Sequence, residues 1–143
     1  MLAHAVGLVA ADALGHQRFD VRRTREVIER ASKAAWCEVD GEADEGALAA
    51  SREVLARGDD SAMSVDERIF LYMPFMHSEA LTDQERGVAL FGANGDVESL
   101  RAAERHRDVI RRFGRFPHRN EVLSRPSTAE ELAFLKEPGS SFA

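Results

Sequence analysis

Three histidines and two short polar runs hold the residues with the chemistry to act on a ligand. In His77-Ser78-Glu79 an imidazole stands two residues from a carboxylate, with Asp83 close behind. On a regular helix such side chains diverge. Just beyond a helix end they can converge, with His77 as acid or base and Glu79 orienting it. The simpler alternative gives Ser78 or Glu79 to backbone capping and packs His77 beside Phe70 and Met73. The second run, Arg105 to Asn120 (RHRDVIRRFGRFPHRN), holds His106, Asp108, His118 and six arginines. Within it, a helix end, a glycine, a proline and two aromatics fix a rigid loop that presents Arg115, His118, Arg119 and Asn120. Guanidinium forks suit a carboxylate or phosphate ligand, and His118 can move a proton. Equally, those arginines can bond the last carbonyls of the preceding helix and the acidic loops. His106 lies on an apolar helical face, where a satisfied core histidine is the simpler reading. Asp108 is expected to pair with Arg111 or Arg112.

Other chemistries lack their residues. Gly92-Ala93-Asn94-Gly95 has neither the lysine nor the preceding strand of a phosphate loop, and no serine sits between glycines as a nucleophile elbow requires. No His-Glu-x-x-His helix occurs, and the single Cys37 can build neither a structural zinc site nor an internal disulfide. No metal or other cofactor is therefore expected. His106-Arg107-Asp108 copies three letters of a kinase catalytic loop by coincidence, since Phe113 stands where that loop needs asparagine.

The elements that position these residues read as helices almost throughout, since helical spacing recurs and strand-like alternation is missing. Helices are expected over about 2–13, from Asp20 to about 36, and over Ala47 to Arg57 with Gly58 as its stop. Val39 to Gly46, acidic and flanked by glycine, reads as a loop. Ser64 to Glu67, Thr82 to Glu85 and Ser127 to Glu130 read as capping boxes opening three further helices. The second of those helices ends near Gly92 and Gly95, and the first contains Pro74, which is expected to kink it. Asp96 should cap the longest helix, about Val97 to Phe113, with Gly114 ending it. The fold class is all-α, with six to seven helices joined by short loops.

The chain has 143 residues, 44% hydrophobic and 31% charged, with a formal net charge of −6. That length suits one domain with an adequate core, and the composition excludes wholesale disorder. No apolar run is long enough to cross a membrane, and the acidic balance argues against nucleic acid as a partner. From Arg101 to Arg119 seven arginines face two acids, while Gly41 to Glu67 carries eight acids and two arginines. Such opposed stretches point to internal complementarity or a polar pocket. Met1 to Leu14 is apolar, but it lacks leading basic residues and Asp12 interrupts it, so a secretory signal is not expected. With one cysteine besides, the expected location is cytoplasmic.

From about Asp44 to Phe142 the chain resembles the bacterial "domain of unknown function 924" family. The resemblance rests on Phe70-Leu71-Tyr72-Met73-Pro74-Phe75-Met76-His77-Ser78-Glu79, Asp83-Gln84-Glu85-Arg86 and His106-Arg107-Asp108-Val109-Ile110. It continues in Arg112 to Asn120 and in Glu137-Pro138-Gly139-Ser140-Ser141-Phe142, in the same order and spacing. It implies antiparallel helical hairpins in a tetratricopeptide-like array, or else an irregular helical bundle, and brings no agreed activity. Family members have a longer upstream part with an Asp-Gln-Phe-Pro-Arg-Asn-like helix. Residues 1–43 have nothing of the kind, so the N-terminal helices are expected to be truncated or altered ahead of a family-like domain at 44–143.

Two functions follow. The leading one is a cytoplasmic binding or scaffold module for a small molecule or protein, with homodimerisation through apolar faces left open upstream. The other is a small-molecule enzyme, hydrolase-like and with or without metal assistance, built on His77, Glu79, His106 and His118. The three histidines converging within hydrogen-bond reach in one cavity, with Glu79 buried, would favour the enzyme, and scattered histidines would sink it.

Overall fold

A computed structural model describes residues 41–142 together with Glu26 and Glu29, with the backbone alone at 41–44. Five α-helices stand among the described residues: α1 (Gly41–Arg57), α2 (Val65–His77), α3 (Leu81–Asn94), α4 (Val97–Phe113) and α5 (Ala129–Phe134). Short 3-10 turns occupy Asp59–Ala62 and Pro117–Arg119, and no strand occurs among these residues. The all-α expectation holds, with five helices described where six or seven were anticipated. The expected helix over 2–13 lies outside the described residues, as does Cys37. Of the helix expected from Asp20 to about 36 only Glu26 and Glu29 are described, both helical.

Local chemistry explains most helix ends. Ser64 Oγ accepts from the Glu67 N–H, and the Glu67 carboxylate accepts from the Ser64 N–H, so the capping box at α2 is closed both ways. Asp96 accepts from the Ser99 N–H at the start of α4. Gly114 ends that helix at φ +70, donating its N–H to the Ile110 carbonyl, a conformation that glycine reaches without a side-chain clash.

Three expectations are corrected. Residues 41–46 are the first turns of α1 rather than a loop, so α1 starts well before Ala47. The box expected at Thr82 and Glu85 does not form, because α3 begins earlier, at Leu81. Glu85 instead pairs with Arg111 of α4. The box at α5 is shifted by one residue: Thr128 caps and Glu131 reciprocates, in place of Ser127 and Glu130.

Packing follows chain order, α1 on α2, α2 on α3 and α3 on α4, with α2 also touching α4. The main core gathers Val54, Met63, Leu71, Tyr72, Met76, Phe91 and Ala103. Tyr72 and Phe91 meet edge to face at 5.8 Å. The Tyr72 hydroxyl donates to Asp60, and burial with that carboxylate beside it pushes its pKa up to about 12. Gly87 lets α3 approach α2, since a Cβ there would stand 3.2 Å from that of Phe75. A smaller cluster of Val109, Ile110 and Phe116, flanked by Phe113, Phe134 and Phe142, joins the end of α4 to the segments beyond it.

The end of α2 and the start of α3 are tied by side chains. Gln84, fully buried, donates to the carbonyls of Met76 and Ser78 at 2.7 and 2.6 Å, supplying partners to groups a helix end leaves open. Asp83 accepts from Ser78 Oγ and from Arg52 of α1. The turn that carries His77, Ser78 and Glu79 is thereby fixed.

Among the described residues no helix is long and apolar enough to cross a membrane. Four arginines of α4, Arg101, Arg107, Arg111 and Arg112, pair with Glu98, Asp108, Glu85 and Glu130 in turn. Asp108 meets Arg111 as expected, and Arg107 as well.

Candidate functional site

Three elements bring the histidines together. His77 closes α2, His106 lies midway along α4, and His118 sits in the 3-10 turn after it. The rings of His77 and His106 are 6.1 Å apart. Phe116, fully buried, forms the centre of the group, its ring 5.7 Å from His106 and 5.6 Å from His118. Phe142 completes it, stacked on His106 at 3.8 Å with only 14° between planes. Its ring stands edge-on to His118 at 5.5 Å and to Phe116 at 6.0 Å. The Arg119 guanidinium lies over the Phe116 ring, 4.8 Å from its centre.

Burial and neighbouring charge keep two of the imidazoles neutral. Burial, then His106, Arg119 and His118, lower the pKa of His77 to about 4. Burial also lowers His106 to about 4, against the hydrogen bond to Ala102 and together with His118, Arg105 and Arg119. That bond, 2.7 Å from His106 Nδ1 to the Ala102 carbonyl, requires Nδ1 to carry the proton and leaves Nε2 as an acceptor.

Glu79 serves the neighbouring loop. It accepts two bonds from Arg125, at 2.8 and 2.9 Å, and one from the Phe116 N–H at 2.8 Å. Burial works against its ionisation, but Arg125 and the Phe116 N–H outweigh it and hold its pKa below the usual carboxylate value. The capping alternative for Glu79 is thus closer to what the structure holds than an orienting bond to His77, although the backbone it caps belongs to a distant loop.

Arg115 and Asn120 belong to the same framework. Arg115 grips buried Glu131 with two bonds of 2.8 Å, and Asn120 donates to Glu131 at 2.9 Å while accepting from Arg125. The bonds from Arg115, the Thr128 N–H and Asn120 lower the Glu131 pKa to about 2. Of the expected ligand-binding loop, His118 and Arg119 face the aromatic group, whereas Arg115 and Asn120 hold the loop in place.

The family model described as bacterial protein of unknown function (DUF924) matches residues 25–139. The chain belongs to this family. Among solved structures, a protein of unknown function from Agrobacterium tumefaciens is similar, at 44% identity and a TM-score of 0.63. The match covers 66% of this chain and 53% of that one, so the chain spans about half the length of that relative. No curated protein matches.

In this DUF924 chain the candidate site consists of three imidazoles and two phenyl rings with a guanidinium alongside, held by a carboxylate–arginine framework. Among the described residues no group of three His, Cys, Asp or Glu side chains is arranged to hold a metal ion. Sequence reasoning missed Phe142, Arg125 and Glu131. Phe142 did fall in one of the segments that carried the family resemblance, and Glu131 is betrayed only by its place three residues after a threonine.

The framework reading of Glu79 has a direct test. In a double-mutant cycle of Glu79→Ala and Arg125→Ala, the coupling should be about 1 kcal/mol, the scale for a contacting pair that stays partly exposed. Urea unfolding of the four proteins measures it, and a coupling near zero would sink the claim.

Proposed function

We infer that this chain is a binding module whose ligand site is the cluster of His77, His106 and His118 around Phe116. The observation that carries the reading is the clustering of imidazoles from three separate elements, His106 and His118 against Phe116 and His77 beside His106, with Arg119 over the Phe116 ring. A core built only for packing would use hydrocarbon there, because each imidazole brings two nitrogens that need partners. Neutral imidazoles offer a ligand both donors and acceptors, and the adjacent guanidinium favours an anionic one. The chain-order packing supports a tetratricopeptide-like hairpin array as the scaffold. The location we assign is the cytoplasm, on the single cysteine.

An enzyme is the second reading, drawn from the same convergence. It requires an imidazole that titrates near the working pH, and His77 and His106 at about 4 are poorly matched to that task. Glu79, engaged by Arg125, is likewise a poor partner for proton transfer.

A thermal-shift screen against carboxylates, inorganic phosphate, nucleotides, phosphosugars, amino acids and divalent metals tests the assignment. A ligand held at a hundred times its Kd stabilises the fold by about 2.7 kcal/mol, enough to raise Tm by several degrees. One ligand class should do so, and His77→Ala with His118→Ala should abolish the rise while the melt stays cooperative. A melt that no compound moves removes the small-ligand reading and favours a protein-binding scaffold. Light scattering on the same sample tests homodimerisation.

A further inference from the structure

The ring of Phe142 lies in a slot with three aromatic walls. His106 supplies the face at 3.8 Å, and Phe116 and His118 meet the ring edge-on. This is the surrounding that aromatic systems prefer for a planar guest. The occupant sits under backbone strain, since Phe142 has φ +59, in the left-handed region that a bulky residue seldom adopts. Its segment bonds to itself and to the end of α5. The Phe142 N–H donates to the Gly139 carbonyl, the Ser140 N–H to that of Glu137, and Ser140 Oγ to that of Leu135. What fixes the ring in the slot is therefore side-chain packing, the ring contacts together with the cluster of Val109, Ile110 and Phe116, and that packing can be exchanged for another ring while the segment relaxes. Phe142 remains partly exposed, so a route from solvent exists. Arg119, its guanidinium 4.8 Å from the Phe116 ring centre, makes the surroundings positive.

We propose that Phe142 is a displaceable plug in a slot for a planar aromatic acid, stacked on His106 with its carboxylate toward Arg119. This rests on the histidine cluster being the ligand site, and it adds the class of ligand and the segment that competes with it. Release of the strained residue offsets part of the loss of its own stacking, so the closed and open states stay close enough for a ligand to choose between them.

The test compares the whole chain with Phe142→Gly, which keeps the positive φ without a Cβ penalty and empties the slot. Benzoate, cyclohexanecarboxylate and benzamide are titrated into both, followed by the imidazole resonances of His77 and His106. Benzoate should bind the variant at least tenfold more tightly than the unaltered chain. The non-planar acid and the uncharged amide should each bind the variant at least tenfold more weakly than benzoate does. Equal benzoate affinity in the two chains overturns the plug, and equal binding of benzoate and cyclohexanecarboxylate overturns the planar slot. If Phe142→Gly fails to melt cooperatively, Phe142→Leu is read in its place by the same criteria. A compound from the thermal screen that moves both imidazoles equally in the two chains overturns the plug and leaves the site standing. If neither the screen nor these probes move any imidazole in either chain, both readings fall.

Discussion

Phe116→Ala should lower the unfolding free energy by about 3–5 kcal/mol, the range for removing a fully buried phenyl ring. The side chain has no exposed surface and links Val109 and Ile110 of α4 to the histidines and Phe142. Alanine keeps the backbone N–H, so the bond to Glu79 survives and the loss reports on the ring alone. Against a total of roughly 5–15 kcal/mol for an ordinary domain, this is a large fraction. Urea unfolding measures it, with Phe134→Ala as a partly exposed comparison of the same chemistry that should cost less. The variant should also lose any ligand response. A decrease below about 1 kcal/mol would show that Phe116 does not organise the site.

Acid should destabilise the protein before its carboxylates titrate. His77 and His106 take up protons near pH 6.5 when unfolded but only near pH 4 when folded. Between those values the unfolded chain binds more protons, so stability falls as pH falls. It is full above about pH 6.5 and, for these two groups, lost by pH 4. The shift of either imidazole alone corresponds to roughly 3 kcal/mol at 1.36 kcal/mol per unit, and because part of the His77 shift comes from His106 the two do not add. Glu79 and Glu131 extend the decline further, because their folded values lie below the ordinary 4.5 and their contribution disappears at lower pH. Urea unfolding at half-unit steps from pH 7.5 to 4 checks the trend. His106→Gln, which does not titrate here, should flatten the slope by about one proton. An identical slope would show that His106 ionises alike in both states.

Signals that act within one turn of backbone were legible in the sequence. Ser64 with Glu67, Asp96 with Ser99 and Gly114 at its positive φ are local arrangements that residue type nearly dictates. At α5 two adjacent hydroxyls, Ser127 and Thr128, each had an acid three residues on. The choice was made by buried Glu131 meeting Arg115, a contact across sixteen positions. At α3 the start was set by Ser78, Asp83 and Gln84 tying it to α2 and α1, so the good local pattern at Thr82 went unused. The acidic run before Ala47 looked like a loop on composition, yet it continues a helix that packs on α2. For the site, residue chemistry pointed to His77, His106 and His118. The parting of Arg119 from Arg115 and Asn120 could not be read, because four similar polar residues differ there only in which carboxylate the tertiary fold brings near.

The order in which the helices pack also bears on how the chain finds its structure. Neighbours in sequence are neighbours in space from α1 to α4, so residues 41–113 can be assembled through short loop closures, which helical proteins complete in microseconds to milliseconds. The clasp of Glu79 differs, reaching 37 positions to Phe116 and 46 to Arg125. Its closure entropy is recovered only once both ends are nearly in place. The aromatic centre is consequently expected to form late in folding.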